Sequence, residues 1–279
     1  MADLIKEFQG IELAIFDLDG IVYRGDQLIL GVDKVIHQLK QISIKVVYNS
    51  NNSTASRQMY VDKLKQFNIN SQINDFYTSA SITAKEISKL KEKAKIFIIG
   101  EIGLKEELKA YGHEIMTAKS DYKEVDFVIV GLDRDFNYNS LAFAQKCLLE
   151  GKAQFYATNA DATLPVADGF LPGAGVMVKA LEFCTGIKPI KIFGKPEPYG
   201  IELILREAKI EPNKAVIFGD RLNTDIAAGN LARIKTALVL TGVTSRNELD
   251  QIKSKKRTSF DKNLIPDIVL EKLNDIFMS

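Results

Sequence analysis

Apolar residues fall along this chain in short runs, and amphipathic stretches separate them. The runs Leu13–Phe16, Ile44–Tyr48, Ile96–Ile99, Phe127–Val130, Phe155–Ala157, Ile190–Phe193, Ala215–Phe218 and Thr236–Leu240 are the length of strands. Val32, Val35, Ile36 and Leu39 recur at helical spacing, as do Ile201, Ile204, Leu205 and Ala208. Further helices are expected from near Thr54, over Val176–Phe183 and over Asn223–Ala232. Strand–helix alternation of this kind predicts an α/β fold, a Rossmann-like, doubly wound parallel sheet with helices on both faces.

Open parallel sheets bind ligands just beyond the carboxyl ends of their strands, so the residues that follow each run matter most. Leu13–Phe16 runs into Asp17 and Asp19, with only Leu18 between them. If the extended form persists, both carboxylates point the same way and raise each other's pKa. After Val46–Tyr48 comes NSNNST, with Ser50, Asn51 and Asn52; after Phe193 comes GKPEP, with Lys195; after Phe218 comes GDRLNTDIAAG, with Asp220 and Asp225. Asp17 and Asp220, among oxygen donors and without histidine or thiolate, suit a hard cation such as Mg²⁺. Ser50, Asn51 and Asn52 ahead of a helix can offer a hydroxyl and amides to a phosphate, and Lys195 can add a positive charge. Together they fit phosphoryl transfer, in which Asp17 attacks phosphorus and Asp19 protonates the leaving oxygen, then activates water.

Composition narrows the picture further. The 279 residues carry 46% hydrophobic and 26% charged side chains, ordinary for a globular chain with a real core. A net charge of +1 calls for neither nucleic acid nor an anionic membrane. Two cysteines, Cys147 and Cys184, read as small core residues of a reducing compartment, and two histidines, His37 and His113, are too few for a histidine-based metal site. The sequence has no secretion signal and no membrane-length apolar run, so a cytoplasmic protein is expected. The basic cluster Lys253–Arg257 reads as a solvated loop.

The stretches DLDGIVYRG, SNNS, GKP and GDRLNTDI, in this order, resemble the four motifs of the haloacid dehalogenase superfamily. With VGLDRDFNY, ATNAD and LPGAG they are similar to its class IIA branch, which includes NagD-type, 4-nitrophenyl phosphate, phosphoglycolate and pyridoxal phosphate phosphatases. The resemblance covers nearly the whole chain. It implies a Mg²⁺-dependent phosphatase of small phosphomonoesters working through a phospho-aspartate on Asp17. By the same resemblance Asp19 is the general acid/base and lends its carbonyl to the metal, and Ser50, the Asn51 amide and Lys195 hold the phosphoryl oxygens. Asp220 is the second metal carboxylate, and Asp225 acts from behind the ligands. Residues 89–188 would form an inserted C2-type α/β cap, between core segments 1–88 and 189–279, that contacts a small phosphorylated metabolite. Relatives often pair through their caps, which raises a homodimer as an expectation.

Each piece has a plainer reading. Asp220 and Asp225 can simply cap a helix, SNNS is ordinary turn chemistry, and Lys195 can be a loop charge. Gly173–Gly175 lacks the third glycine of a dinucleotide fingerprint and fits a tight helix entry. Thr158, Asn159 and Asp161 fit a hinge as well as a substrate contact, Arg134 and Asp135 fit surface solvation, and Arg24 is ambiguous. A phospho-acceptor regulator, or a phosphate-binding protein without turnover, stands as the rival; Asp19 and the long insertion argue against the acceptor.

Overall fold

The computed structural model describes residues 3–166, 169–254 and 262–278. The chain forms two compact units, one from residues 1–50, 61–77 and 195–279, the other from residues 51–60 and 78–194. Its strands are β1 Leu13–Phe16, β2 Tyr23–Arg24, β3 Gln27–Leu28, β4 Lys45–Ser50, β5 Phe76–Thr78, β6 Lys95–Ile99, β7 Glu114–Met116, β8 Phe127–Val130, β9 Gln154–Ala157, β10 Thr163–Val166, β11 Gly169–Pro172, β12 Lys191–Ile192, β13 Ala215–Gly219, β14 Lys235–Val239 and β15 Ile268–Leu270. The α-helices are α1 Val32–Gln41, α2 Arg57–Gln66, α3 Ser79–Leu90, α4 Ile102–Ala110, α5 Tyr138–Leu149, α6 Ala174–Thr185, α7 Tyr199–Ala208, α8 Ala227–Leu231 and α9 Arg246–Ser254.

In the first unit six strands line up as β15-β14-β13-β1-β4-β5. The pairs from β15 through to β4 are parallel, with Leu13 opposite both Ala215 and Lys45. Every residue of β1 and β13 is buried, as strands covered on both faces require. Phe16 stacks on Phe218 at 4.9 Å, Phe8 packs on Phe218 at 5.4 Å, and Tyr48 stacks on Phe76 at 4.9 Å. The chain builds outward from β1 to β4 and β5, then returns to the other side with β13. The strand order therefore reverses at the β1/β13 pair, the switch point where such sheets open a crevice.

The second unit carries a five-stranded sheet, β12-β9-β8-β6-β7, whose pairs are all parallel. Its core gathers Ile99, Val128, Val130, Phe155, Cys147 and Leu181. The segment at residues 51–60 is bound to this unit by short contacts. Gly103 N–H donates to the Thr54 carbonyl at 3.1 Å, and a Cβ on Gly103 would meet the Ala55 backbone at 2.3 Å. The buried Glu107 carboxylate accepts from both the Arg57 amide at 2.8 Å and its Nε at 2.9 Å.

Several local expectations are corrected. The helix expected from Thr54 starts at Arg57, because Asn52 turns the chain by accepting from the Thr54 amide at 2.8 Å. The stretch Asn223–Ala232 is a π-helical turn, Leu222–Ile226, followed by the short α8. The three-residue strands β5, β7 and β15 and the hairpins β2/β3 and β10/β11 carry too little apolar pattern to be seen in the sequence. His113 is buried, its Nδ1 accepting from the Ala94 amide at 3.1 Å. Cys184 is only half-buried, whereas Cys147 is in the core. Of the basic cluster Lys253–Arg257, residues 255–257 lie outside the described residues.

Candidate active site

β1 stops at Phe16, and Asp17 is the first residue past its carboxyl end, its amide donating to the Phe218 carbonyl of β13 at 2.9 Å. One strand over, β13 delivers Asp220 just after Gly219, and the π-helical turn that follows brings Asp225 back toward the strand end. The three carboxylates are buried, and their oxygens lie within 4.8 Å of one another. Lys195, 4% exposed, reaches into this group: Nζ is 2.7 Å from Asp17 Oδ1, 2.6 Å from Asp225 Oδ1 and 2.8 Å from the carbonyl of Asn49 at the end of β4. Ser50, the last residue of β4, is buried beside it in the chain.

Asp220 is held in a close-fitting cradle. Val243 N–H donates to its Oδ2 at 2.7 Å, and Thr244 N–H donates to its carbonyl at 3.1 Å. A Cβ on Gly242 would lie 1.9 Å from that Oδ2, and one on Gly20 would lie 2.4 Å from it; Gly20 also takes a left-handed φ of +84° that favours glycine. Asp225 Oδ2 accepts from the Arg221 amide at 3.1 Å, which bends the chain into the π turn.

One lysine cannot balance three buried carboxylates. Burial raises the Asp17 pKa well above the ordinary carboxylate value; Lys195 pulls it back, and Asp225 and Asp220 add to the rise. Burial, then Asp225, push Asp220 up to about 7, against the Val243 amide, Arg221 and Lys195. Burial works to lower the Lys195 pKa, but Asp17 and Asp225 outweigh it and raise it. A cation is the natural counterweight. The donor set is all carboxylate oxygen, which fits a hard divalent ion.

The pairing of Asp17 with Asp19 is not what the sequence suggests. The extended form ends at Phe16, and the Leu18 carbonyl accepts from the amides of Ile21, Val22 and Tyr23 in a tight turn. Asp19 consequently leaves the carboxylate group, and its side chain is accessible to solvent. The acids that act on Asp17 are Asp225 and Asp220, which come from β13 and the turn after it. Crowding by protein still raises the Asp19 pKa, opposed by Lys63, Arg221 and Lys195. Asp225, expected behind the ligands, stands among the carboxylates and pairs directly with Lys195.

Asn51 belongs to the second unit. Its side-chain amide donates to both carboxylate oxygens of Asp161 at 3.1 Å, and its carbonyl accepts from Ser79 Oγ at 2.6 Å and Asn159 Nδ2 at 2.8 Å. Gly173 and Gly175 pass so close to the Asp161 and Ala160 carbonyls that a Cβ would meet them at 2.2 and 2.6 Å, a tight helix entry. Arg134 forks onto Glu101 at an exposed position, its Nε 2.7 Å from Oε1. Arg24, ambiguous in sequence, donates to the Thr241 carbonyl. The cradle that Gly242 makes for Asp220 leaves no signal in the sequence, where TGVTS reads as an ordinary turn.

Residues 14–114 match the family described as haloacid dehalogenase-like hydrolase, and residues 192–276 match a second HAD-hydrolase-like family. The chain is 35% identical to an acid sugar phosphatase from Staphylococcus haemolyticus, over 92% of its own length and 94% of the relative's. Among solved structures it is similar to a 4-nitrophenylphosphatase from Thermotoga maritima, with a TM-score of 0.86, 33% identity and coverage of 96% and 97%. It also resembles a glycerol phosphate phosphatase from Mycobacterium tuberculosis in complex with magnesium, with a TM-score of 0.84, 28% identity and coverage of 100% and 79%.

Proposed function

The chain belongs to the haloacid dehalogenase-like hydrolases, in their class IIA branch, and on that premise we propose a Mg²⁺-dependent reaction in which Asp17 takes the phosphoryl group from a small phosphorylated metabolite. The enzyme is a phosphoric monoester hydrolase. The observation that carries the assignment of roles is Lys195 bonded at once to Asp17, Asp225 and the Asn49 carbonyl, with Asp220 in the same buried group.

Asp17 is the nucleophile. Its lysine contact at 2.7 Å fixes the carboxylate's direction before substrate arrives. Asp19, free of the carboxylate group and accessible, protonates the departing oxygen and afterwards takes a proton from the water that splits the aspartyl phosphate. Ser50 and, one peptide bond on, the Asn51 amide hold phosphoryl oxygens together with Lys195. Asp17, Asp220 and the Asp19 carbonyl would hold Mg²⁺. When bound, the ion supplies the positive charge that keeps the buried acids ionised and offsets charge on the phosphoryl group. Asp225 keeps Lys195 charged and aimed.

The stretch 89–188, inside the second unit, we assign to an inserted cap whose residues select the substrate. We also assign the protein to the cytoplasm, and to a homodimer through that cap; a light-scattering mass equal to one chain, 31.1 kDa, would remove the dimer. No helix among the described residues is long and apolar enough to cross a membrane.

The deciding measurement is phosphate release from 4-nitrophenyl phosphate with Mg²⁺, with EDTA, and with Asp17→Asn. Metal-dependent hydrolysis that is lost in the variant is the expected result. Hydrolysis that survives Asp17→Asn would remove the nucleophile from this scheme.

A further inference from the structure

We propose that Lys63 is a positioning residue for Asp19: it clamps the hairpin to which the Asp19 loop is bonded. The proposal rests on the reading of Asp19 as the general acid. Among the described residues no side chain hydrogen-bonds the Asp19 carboxylate, so its place follows the backbone that carries it. That backbone is tied to Tyr23. Asp19 pairs with Tyr23 in an isolated bridge, Gly20 N–H donates to the Tyr23 carbonyl at 2.8 Å, and Tyr23 opens the β2/β3 hairpin opposite Leu28.

Lys63 reaches this hairpin from α2, within the same unit. Its ammonium lies 4.0 Å above the centroid of the buried Tyr23 ring and donates to the Gly25 carbonyl at the hairpin tip at 2.8 Å. A further contact goes to Asp26 at 3.3 Å, but Asp26 is fully exposed and its ion pair is screened by water. The ring and carbonyl contacts are the ones that hold the hairpin. On the loop's other side Thr241 Oγ1 donates to the Gly20 carbonyl at 2.7 Å, and the Arg24 side chain donates back to the Thr241 carbonyl. A two-stranded ribbon of two residues per strand is too small to hold itself. With Thr241 and Arg24 bracing one side and Lys63 the other, the acid's loop gains a fixed geometry.

A displaced general acid has a signature that a loosened fold does not. A good leaving group departs without protonation and a poor one does not, so the loss depends on the ester. The test compares 4-nitrophenyl phosphate with phenyl phosphate, which share a shape and differ in leaving-group basicity, in wild type, Lys63→Met, Lys63→Arg, Asp26→Ala and Asp19→Asn. Lys63→Met keeps the stem and removes the charge and donor. It should lower kcat/KM, which reports the steps through departure of the leaving group, by about tenfold more for phenyl phosphate than for 4-nitrophenyl phosphate, the scale expected for a displaced catalytic group. Lys63→Arg should restore the ratio, and Asp26→Ala should leave it unchanged. Equal losses of kcat/KM on both esters, or none, in Lys63→Met overturn the proposal. If Asp19→Asn itself shows no dependence on the leaving group, the acid assignment falls and this inference with it. Dependence in Asp19→Asn but not in Lys63→Met removes the lysine's role alone.

Discussion

Lys195 shows how one side chain can serve two acids. Its ammonium is 2.7 Å from Asp17 and 2.6 Å from Asp225, with both partners buried, so removing either leaves a charge without its counterpart. Asp225→Asn should therefore lower turnover by about 10²-fold through a misaimed lysine, the scale of a small displacement in an active site. Single-turnover kinetics should place that loss in formation of the phospho-enzyme; a loss confined to substrate affinity would contradict it. Asp19→Asn should instead slow both formation and breakdown of the intermediate by about 10²–10⁴-fold, the range of general acid–base assistance, and rapid-quench rates for the two steps measure it. The residues that carry this chemistry were legible because Asp17, Lys195 and Asp220 each end an apolar run. The partnership between Asp17 and Asp19 was misread because period-two reasoning extends a strand that in fact stops at Phe16. Lys63 left no trace in the sequence, since what it does depends on a hairpin 37 positions away.

Elements place these residues through close backbone approach. The turn after β14 holds Asp220 only because Gly242 lacks a side chain: a Cβ there would lie 1.9 Å from the carboxylate oxygen. Gly242→Ala should push Asp220 out of line and weaken Mg²⁺ binding by about tenfold or more, the penalty that disturbing a ligand's support brings. Calorimetric titration of the ion into wild type and variant tests this, and equal affinities would contradict it. Gly103→Ala works on a different element. There the new methyl would meet the Ala55 backbone at 2.3 Å, and backbone cannot swing aside as a long side chain can. A cost of about 1–3 kcal/mol is expected, the range for overpacking, and chemical denaturation measures it. The central strands were readable from their unbroken apolar runs, whereas β7 and β15, three residues each, offer no period to read. The π turn at Leu222–Ile226 was hidden for another reason: Asp225 bonds back to the Arg221 amide while its carboxylate pairs with Lys195, thirty positions earlier, a tertiary demand that local propensity does not encode.

For the whole molecule, the buried acids make stability depend jointly on pH and metal. Asp220 is held up at about 7 by burial and by Asp225, against an ordinary value of 3.8, and burial raises Asp17 in the same direction. The folded protein therefore binds protons more tightly than the unfolded chain across that interval. The stability this gives is full below about pH 4 and is lost as pH rises through 7. A divalent ion that binds only the folded, ionised site should reverse the trend. The gain in Tm from Mg²⁺ should be larger at pH 8 than at pH 5; a gain independent of pH would sink this account. The order of the layers was legible in the alternation of runs. The membership of residues 51–60 in the second unit was not, because it depends on Gly103, Glu107 and Asp161, each far away in sequence.

The reversal of strand order at β1 also sets a timetable for the chain. β1 is synthesised before its neighbour β13, which begins two hundred and two positions later, at Ala215 opposite Leu13. The strands of the second sheet, in contrast, all arise from one uninterrupted stretch, Lys95 to Ile192. Synthesis therefore supplies a complete second sheet while the nucleophile's strand still lacks a flank, and loop closure favours the more local pairing first. Pulse-labelled hydrogen exchange during refolding should find the amides of β6 and β8 protected before those of β1 and β13; the opposite order would refute this sequence of events. A chain made only as far as Ile192 would then own the part assigned to choosing a substrate before it owns Lys195 and Asp220, which keeps an unfinished enzyme chemically silent until β13 exists.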